Sequence, residues 1–515
     1  MDQMNSQAAE GQGEGFARKK QGYLLVSALM LGLLFNVLFY GKTLGLSYPL
    51  YIIALYGVLF WNMRNHHRGH FKRNLLPGIP IIALAFSYLI YSNWIFSVLN
   101  FLVIPILFVA HTLLLTANNR HEWFKSQFLA EIIHGVVARP LANCLKPFAV
   151  IAEFAQSRLN LRKLGAVGKV LAGLLFAAVL LIVIVPLLAS ADDIFRRLVE
   201  GIPNLFRGIS LGEFVPRLLI VAAVTCLIFS YLWSLFNAGT KSKEAVSNSG
   251  SLTAGRAFLD PLTVSTMLVL LDLLYAFFIA IQFSYLFGSL KYGLPQNFTY
   301  AQYARKGFFE LVVITLINLI VVLGTMRYVK VSGSRLNKVV NVLNSALVVS
   351  TFVILLSAHV RMSLYEAVYG FTYLRVLTHA FMGYLFLLLL VTLGKIWRPT
   401  VPLLKFYIVI SLAAYTLLNY VNVDSIIVKN NIDRYNKGNP IDILYLTRLS
   451  YDVVPMLADF AQNTPDQMLA GQLEKELAAK KQALAKENDW QSFNISRYRA
   501  KRTLAERGFD ISQAD

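Results

Sequence analysis

Long apolar runs dominate this sequence and constrain its fold more than any other feature. Stretches of about twenty residues almost without charge alternate with short charged segments. A helix of that length spans the hydrocarbon core of a bilayer, whereas a surface helix of a soluble protein would carry a polar stripe. Charged residues make up 15% of the chain, against about a quarter in soluble domains. The sequence therefore predicts an all-α, polytopic transmembrane helical bundle.

We predict about eleven transmembrane helices, within a transmembrane domain that covers residues 18–421. The expected spans are highly apolar and almost free of charge, and they cover residues 22–40, 46–62, 77–92, 94–117, 166–189, 215–236, 263–288, 307–327, 342–360, 373–394 and 403–421. The third and fourth spans meet at Ser92 and Asn93, which predicts a tight hairpin. Residues 1–17 are polar and rich in glycine, so we expect a disordered N-terminus.

The net charge of +20 comes mainly from Lys and Arg between the spans. Cytoplasmic loops carry such an excess, so the bias predicts a cytoplasmic N-terminus and, with an odd number of spans, an extracytoplasmic C-terminus. Because this bias explains the charge and no zinc-finger or RNA-binding signature accompanies it, nucleic acid is not an expected partner. Cys144 and Cys226 are placed for neither a disulfide nor a metal site, and no cofactor is expected.

Two regions lie outside the spans. Residues 118–165 form a loop with helical periodicity, which predicts amphipathic helices on the inner membrane surface or beneath the bundle. Residues 422–515 form a tail that we predict to be helical and to lie against the outer membrane face, with too few apolar residues for a globular domain of its own. The lipid bilayer is the main expected partner, and the loop or the tail could also bind a protein.

Ionisable side chains in or beside the spans are the candidate functional residues, because such groups are costly in a membrane. Asp272 lies near the middle of the seventh span, with Gln282 on the same span and Asn318 on the next. The other candidates are expected in the outer half of the membrane or just outside it, and they are Asp192, Arg305, Glu310, His359, Arg361, Arg375, His379 and Asp424.

Each candidate also has a structural interpretation. The arginines could extend their long side chains to the interface. Glu310 could pair with Lys306 on its own helix, and Asp424 could cap the helix that begins the tail. Asp272 has no basic residue within one turn, so a polar or proton-linked cavity and a structural interhelical hydrogen bond both remain open.

Enzymatic motifs are weak. The chain has no HExxH, GxSxG or Walker A sequence. Asp192 and Asp193 form an acidic pair in an expected outer loop, as in polytopic glycosyltransferases, but adjacent residues in an extended loop point apart, which disfavours joint metal ligation. An enzyme is not the favoured interpretation, and no metal site is predicted.

Several separated motifs carry a resemblance to a known group of proteins. They are YARKGFFEL, HVRMSLYEAVYGFTYLR, the ADD-x-F segment after the fifth span, and the tail segments NVDSIIVKNNIDRYN and IDILYLTRLSYDVVP. Over roughly residues 70–500 the chain resembles the bacterial multi-pass proteins catalogued as domain of unknown function 4173, which are related to the 4153 group. The resemblance implies a protein of the bacterial cytoplasmic (inner) membrane and implies no activity. The matched positions are Asp192, Tyr303, Arg305, Glu310, Arg361, Tyr365, Tyr369, Arg375, Asn422, Asp424, Asn431, Arg434, Asp442, Tyr445, Leu446 and Asp452.

Three functions remain open. The helix number and Asp272 favour a transporter or permease for a small solute or ion, which architecture places slightly ahead. The polar helix ends favour an outer-leaflet enzyme on a lipid-linked or cell-envelope substrate, since arginines bind anionic head groups. The loop and the tail would suit a non-catalytic signalling or assembly component.

Overall fold

The computed structural model describes residues 2–63, 74–158, 211–237, 259–286, 308–329, 334–487 and 489–509, and the single residues 177, 181, 184, 185, 188, 192, 195 and 197. Within these residues the regular elements are helices, and the β-type pairing is an isolated bridge between Leu259 and Val329. The prediction of an all-α fold is confirmed.

The chain divides into two compact units. The first comprises Met1–Leu89, Ser97–Ala245 and Asn488–Asn494, and the second comprises Ile90–Phe96, Val246–Glu487 and Ile495–Asp515. The helices that belong wholly or mostly to the first unit are α1 (Asp2–Phe39), α2 (Ser47–Met63), α3 (Gly78–Ile90), α4 (Trp94–Leu115), α5 (Ser126–Ile133), α6 (Arg139–Ala142), α7 (Lys146–Arg158) and α8 (Leu211–Asn237). A π-helical turn, His134–Ala138, joins α5 to α6.

The second unit contains the remaining helices. They are α9 (Pro261–Leu286), α10 (Phe308–Tyr328), α11 (Ser334–Tyr369), α12 (Tyr373–Trp397), α13 (Leu403–Tyr420), α14 (Val423–Tyr435), α15 (Ile443–Thr447), α16 (Val454–Asn463), α17 (Gln467–Ala485) and α18 (Ile495–Glu506). Helices α9 to α13 are long and apolar, and α14 to α18 form the tail.

Eight helices in the described part of the chain are long and apolar enough to cross a membrane, rather than the eleven predicted. The segments are Gln21–Phe39, Trp94–Leu115, Pro216–Phe236, Pro261–Gln282, Phe309–Tyr328, Arg335–Tyr369, Tyr373–Trp397 and Leu403–Tyr420. The protein is therefore a multi-pass membrane protein, with a smaller number of supported spans than hydropathy along the sequence indicated.

Three predicted spans are not among these eight. Span 77–92 corresponds to α3, whose 13 residues extend for about 20 Å, well short of a hydrocarbon core of about 30 Å. Span 46–62 corresponds to α2, whose 17 residues extend for about 26 Å. Span 166–189 falls outside the described residues except at single positions. The odd count that placed the two termini therefore has no structural support, and the orientation stays a prediction.

The N-terminal helix is longer than the first expected span. Helix α1 begins at Asp2, upstream of the first expected span, and its candidate membrane segment is Gln21–Phe39. Disorder of residues 1–17 stays a prediction.

Aromatic side chains pack the first unit. The ring of Tyr51 on α2 meets Phe39 of α1 edge-on, with 5.4 Å between centroids. Tyr48 of α2 stacks on Tyr88 of α3 at 4.2 Å. Where α1 approaches α8, a Cβ on Gly32 would lie 2.9 Å from a backbone carbonyl oxygen of α8. Small residues at such positions allow membrane helices to pack closely.

Hydrogen bonds between buried side chains join α9, α10 and α11 in the second unit. The hydroxyl of Tyr275 donates to Asn318 Oδ1 at 2.7 Å, and Asn318 Nδ2 donates to Thr351 Oγ1 at 3.0 Å. Further along α9 and α11, Ser357 donates to Gln282 Oε1 at 2.7 Å. These bonds occur within an apolar core from the same helices, where each polar group needs a partner inside the protein.

The tail folds around a hydrophobic core of its own, whereas we expected separate helices on the membrane face. Buried residues from α14 to α18, with Phe96 from the α3–α4 turn, form this core, and Tyr373 and Leu377 of α12 and Leu418 of α13 pack against it. The difference arises because each tail helix has an apolar stripe, and these stripes bury one another.

Helix α11 carries His359 and Glu366, two residues of the candidate functional site. It continues from its predicted end at residue 360 to Tyr369, because the first residue that favours a stop is Gly370. There φ is +82°, a conformation that glycine adopts without steric cost. Helix α12 then begins at Tyr373. We call residues 370–372 the Gly370 corner. The chain reverses direction there, so α12 packs against α11.

Candidate functional site

His379 of α12 lies between two residues of α11 and contacts both. Its Nδ1 is 2.8 Å from Nδ1 of His359, and its Nε2 is 3.0 Å from Oε2 of Glu366. His359 and Glu366 are separated by about two helical turns, so they share one face of α11. The Gly370 corner brings His379 against that face. We call these three residues the His–His–Glu chain.

The His–His–Glu chain runs from the interior of the second unit to its surface. Glu366 is 4% exposed, whereas His359 is exposed and His379 is intermediate. The second carboxylate oxygen of Glu366, Oε1, is buried and has no hydrogen-bond partner among the described residues. A buried carboxyl group is therefore connected to an exposed imidazole by two short contacts.

This geometry suits proton transfer. A contact between two imidazole nitrogens needs one donor and one acceptor, and each ring nitrogen can be either. Doubly protonated His379 would donate to both neighbours. Neutral His379 would donate to Glu366 and accept from His359. Because both arrangements keep the hydrogen bonds, a proton can pass along these residues without their separation.

The same geometry does not suit metal binding. A metal ion requires lone pairs that converge on one point, but His379 directs its two nitrogens at opposite neighbours. Across the part of the chain that the structure describes, no group of three His, Cys, Asp or Glu residues is arranged to hold a metal ion.

Two arginines cap the C-terminal end of α11. Arg434 of α14 donates from Nε to the carbonyl of Ala367 at 3.0 Å and from Nη2 to that of Val368 at 2.7 Å. Arg375, a predicted site residue, donates to the carbonyl of Gly370. The last carbonyls of a helix lack partners within the helix, and positive charge is favourable beside them. Both arginines therefore stabilise the end of α11.

Arg361 is also on α11 and is buried. Its exposure is 8%, close to that of Glu366 five residues later along the chain. Its expected position at the membrane interface stays a prediction.

Asp272 on α9 lacks a hydrogen bond. Both of its carboxylate oxygens are buried, and neither has a partner within the described segments. Gln282 and Asn318, the other polar positions singled out on this span and the next, are hydrogen-bonded to Ser357 and Thr351 of α11. Those two positions therefore serve helix packing, and Asp272 remains the unexplained polar group of α9.

The structure does not bring the remaining candidates into the His–His–Glu chain. Glu310 is exposed in the first turn of α10. Asp192 belongs to the first unit, is exposed and accepts a hydrogen bond from the backbone N–H of Phe195 at 2.8 Å. Arg305 and Lys306 lie outside the described residues.

Asp424 lies in a second polar network, where the tail meets residues 90–96. Asp424 is 2% exposed, and its Oδ2 accepts from Asn93 Nδ2 at 3.2 Å and from the hydroxyl of Ser450. The Ser450 hydroxyl also lies 2.9 Å from Asp452 Oδ2. This Asp452 oxygen accepts hydrogen bonds from the backbone N–H of Ser92 at 3.0 Å and from its Oγ at 3.1 Å.

The N-terminal cap of α14 is Asn422, whose side chain accepts a hydrogen bond from the backbone N–H of residue 425. The capping interpretation of Asp424 is therefore wrong.

The surroundings of Asp424 make its negative charge costly. The Ser450 hydroxyl has one hydrogen and cannot donate to both carboxylates at once. If Asp424 is protonated, it can donate to Ser450, which then donates to Asp452. Burial raises the pKa of Asp424, and the charge of Asp452 acts in the same direction, while the hydrogen bond from Ser450 opposes both.

Lys480 of α17 is the cation beside this network. Burial lowers the pKa of Lys480 from its ordinary 10.5 to about 8, although the charges of Asp424 and Glu476 oppose that change. Its ammonium group donates to the carbonyl of Leu449 at 2.8 Å and lies 4.9 Å from the ring centroid of Tyr451. The tail therefore holds a buried amine whose charge is costly.

A pH dependence of stability follows from Lys480. Between pH 8 and 10.5 the unfolded chain keeps this proton while the folded chain has lost it, so the folded state gains stability as the pH rises. We expect the free energy of unfolding to rise by about 3 kcal/mol more across this interval in the wild type than in Lys480→Met. Urea titrations followed by circular dichroism measure the difference, with the exposed Lys475→Met on the same helix as the control. Parallel pH profiles for wild type and Lys480→Met would contradict the assignment.

Sequence reasoning missed Glu366 and Asp452 as partners in these networks. Glu366 could have been found, because it follows His359 by seven residues and α-helical spacing puts both on one face. Asp452 could not have been paired with Ser92 in advance, because these residues are 360 positions apart and serine occurs throughout the chain. Their contact depends on how the tail folds.

A comparison with protein families gives a match to the family described as Domain of unknown function (DUF4153), over residues 78–460. The matched family is thus the 4153 group, to which the motif resemblance was related, rather than the 4173 group itself. No curated protein and no solved structure matches the chain. The matched region contains the His–His–Glu chain and both Asp424 and Asp452. Because the match covers more than half of its length, this multi-pass membrane protein belongs to the DUF4153 family.

Proposed function

We propose that this protein is a proton-linked transporter or permease for a small solute or ion in a bacterial cytoplasmic membrane. The observation that carries the proposal is the His–His–Glu chain, a continuous hydrogen-bonded connection from the buried carboxyl of Glu366 to the exposed imidazole of His359. Histidine is suited to this role because its charge changes near neutral pH.

Asp272 adds a second group that fits proton or cation movement. An ionised aspartate near the middle of a membrane helix costs about 3 kcal/mol on insertion scales, and no described residue offers Asp272 a hydrogen bond. In this proposal the side chain carries a proton or pairs with a transported cation. Ionisable groups within membrane segments mark proton and ion pathways in transporters.

The helix architecture supports the same function. Helices α9, α10 and α11 are joined by hydrogen-bonded pairs such as Ser357 with Gln282, which hold Asp272 and the His–His–Glu chain on packed helices of one unit. In this proposal Glu366 and Asp272 bind protons, and His379 and His359 pass them to the surface.

Proton movement in proteoliposomes tests the proposal. Purified protein is reconstituted with pyranine inside, and a potassium gradient with valinomycin drives proton flow. We expect wild-type vesicles to acidify or alkalinise faster than protein-free vesicles. Glu366→Gln and His379→Gln should each slow the proton flux at least tenfold, because each removes one proton-binding group and interrupts the connection. Asp272→Asn should slow the flux similarly.

His121→Gln is the matched control for His379→Gln. His121 also contacts a glutamate, with 2.6 Å between its Nδ1 and Glu131 Oε1, but it is an exposed surface residue. We expect its flux to equal that of the wild type. Wild-type vesicles no faster than empty ones, or His379→Gln as fast as His121→Gln at equal reconstituted amounts, would refute proton-linked transport.

An enzyme that acts on a lipid-linked or cell-envelope substrate is the second candidate. The observation in its favour is that exposed His359 is backed by His379 and Glu366, as a general base is backed by an orienting carboxylate. This alternative predicts that His359→Gln changes the envelope lipid profile of cells while proton flux in vesicles stays at the wild-type rate. Unchanged lipids together with lost flux would favour transport.

A further inference from the structure

A stripe of exposed apolar side chains runs along α5, the π-helical turn, α6 and α7. Its members are large, apolar and between 44% and 74% exposed, and they are Leu129, Ile133, Val137, Leu141, Leu145, Phe148 and Ile151. Large exposed apolar patches on soluble proteins usually mark contact with a partner or a membrane. Something other than water is therefore expected to cover this stripe.

The π-helical turn keeps the stripe on one side. Its first four members recur every fourth residue, and four residues of an α-helix overshoot a full turn by about 40°. An ideal helix would therefore rotate the stripe away from its starting direction. The wider turn at His134–Ala138 contains an extra residue, which offsets this rotation where the drift would otherwise accumulate.

Contacts with α4 and α8 place this segment beside the last turns of both helices. The hydroxyl of Ser230 on α8 donates to the carbonyl of Asn143 at 2.9 Å, and Ser230 is six residues, about 9 Å, before the end of the apolar span Pro216–Phe236. Gly135 packs on Val109 of α4 so closely that a Cβ would lie 2.8 Å from Val109 Cγ1.

Val109 on α4 and Ser230 on α8 lie at the same distance from the ends of their spans. Val109 is also six residues, or about 9 Å, before the end of its span at Leu115. The two span ends are level, because Asn118, just after α4, donates from Nδ2 to the carbonyl of Leu235 near the end of α8 at 2.5 Å. Residues 135 and 143 therefore lie below the ends of both membrane helices, alongside their last turns.

Polar groups at the start of the segment are satisfied within the protein. Glu131 accepts from His121 Nδ1 at 2.6 Å and from the backbone N–H groups of Arg120 and His121, each at 3.0 Å. Such internal pairing is what a segment in contact with lipid requires. The polar side is thus bonded to protein while the apolar stripe faces outward.

We propose that residues 126–151 form a segment embedded in the plane of one membrane leaflet, with the apolar stripe covered by lipid acyl chains. Amphipathic helices of this type bury their apolar face about 5–10 Å deep, at the boundary of headgroups and acyl chains. The distance of Ser230 and Val109 from the ends of their spans falls in that interval. Because the segment contacts α4 and α8 beside their last apolar turns, the membrane itself, rather than a second protein, is the partner in this proposal.

Spin-label accessibility tests this proposal in the full-length protein. Cys144 and Cys226 are replaced by serine, single cysteines are introduced at Leu141, Leu145 or Phe148, and the labelled protein is placed in nanodiscs of phosphatidylcholine and phosphatidylglycerol. We expect collisions with oxygen to exceed those with nickel(II) ethylenediaminediacetate by severalfold at all three positions. The collision ratio should correspond to an immersion of about 5–10 Å.

A label at the exposed polar residue Glu122 is the matched control, since it lies just before α5, and it should collide mainly with the nickel reagent. Stripe labels as accessible to nickel as Glu122 would show a water-facing surface and overturn the proposal. Labels reached by neither reagent would show that protein covers the stripe, which would overturn it as well. Elution of each variant at the wild-type volume confirms that the labelled chain is folded.

Discussion

Gly370→Ala is expected to destabilise the second unit by about 2–5 kcal/mol. Two costs combine in this figure. A left-handed backbone costs a residue with a Cβ roughly 1–2 kcal/mol, and Gly370 has φ +82°. Forcing an extra methyl group into a packed site costs about 1–3 kcal/mol more. Here the Cβ would lie 2.4 Å from Asn431 Oδ1 and 2.8 Å from Arg434 Nη1.

Two other glycines separate these costs. Gly438 has φ +85° but nothing within 4 Å of an added Cβ, so Gly438→Ala should show the backbone cost alone. Gly383 lies inside α12 with open space around it, so Gly383→Ala should be neutral or slightly stabilising, by up to about 1 kcal/mol. Thermal unfolding in detergent, followed by circular dichroism, ranks the three. A Gly370→Ala protein as stable as Gly438→Ala would refute the close contact.

Loss of Arg434 is expected to have an effect of similar size. Its guanidinium is buried and donates two hydrogen bonds to the last carbonyls of α11. Hydrogen bonds to charged groups contribute about 1.5–3 kcal/mol each, so Arg434→Met, which removes two of them, should lower the free energy of unfolding by about 3–6 kcal/mol. Burial and the nearby charge of Arg375 lower the pKa of Arg434.

Arg434→Lys tests whether charge or geometry matters. Lysine keeps the charge but lacks the planar fork that reaches two carbonyls, so we expect Arg434→Lys to recover less than half of the loss. The exposed Arg448→Lys in the same tail is the control and should leave stability unchanged. Denaturant titrations provide the free energies. Full recovery by lysine would mean that charge at the helix end, rather than the two-pronged hydrogen bonding, stabilises α11.

Both substitutions also bear on the proposed function. The Gly370 corner determines how α12 returns along α11, and so it determines the 2.8 Å and 3.0 Å contacts of His379. A displaced corner should separate these groups and slow proton flux even in protein that remains folded. The residues of the corner therefore position the His–His–Glu chain without belonging to it.

The membrane class and the helical fold could be read from the sequence because they depend on local properties. A run of apolar residues such as 94–117 must be helical to satisfy its backbone in lipid, and the structure has α4 there. The number of spans was less secure, because hydropathy does not show where a helix ends. The apolar run at 77–92 contains a helix of only 13 residues.

The candidate site depended on contacts that no local pattern contains. His359 and His379 were singled out separately as costly residues in membrane helices, and that inference needed only the sequence. Their hydrogen bond depends on α11 continuing to Tyr369 and turning at Gly370. Arg375 was chosen for the same electrostatic reason, but it serves as a cap for α11 because the corner brings it to a free carbonyl.

The tail shows most clearly what the sequence pattern alone does not predict. Helices were expected there because apolar residues recur with helical spacing in segments such as NVDSIIVKNNIDRYN and IDILYLTRLSYDVVP. The helical spacing indicates which face of each helix is apolar. It does not indicate whether lipid or another helix covers that face, because both are apolar environments. Only the tertiary fold, in which the tail helices bury one another and bring Asp424 to Asn93 and Ser450, decides between them.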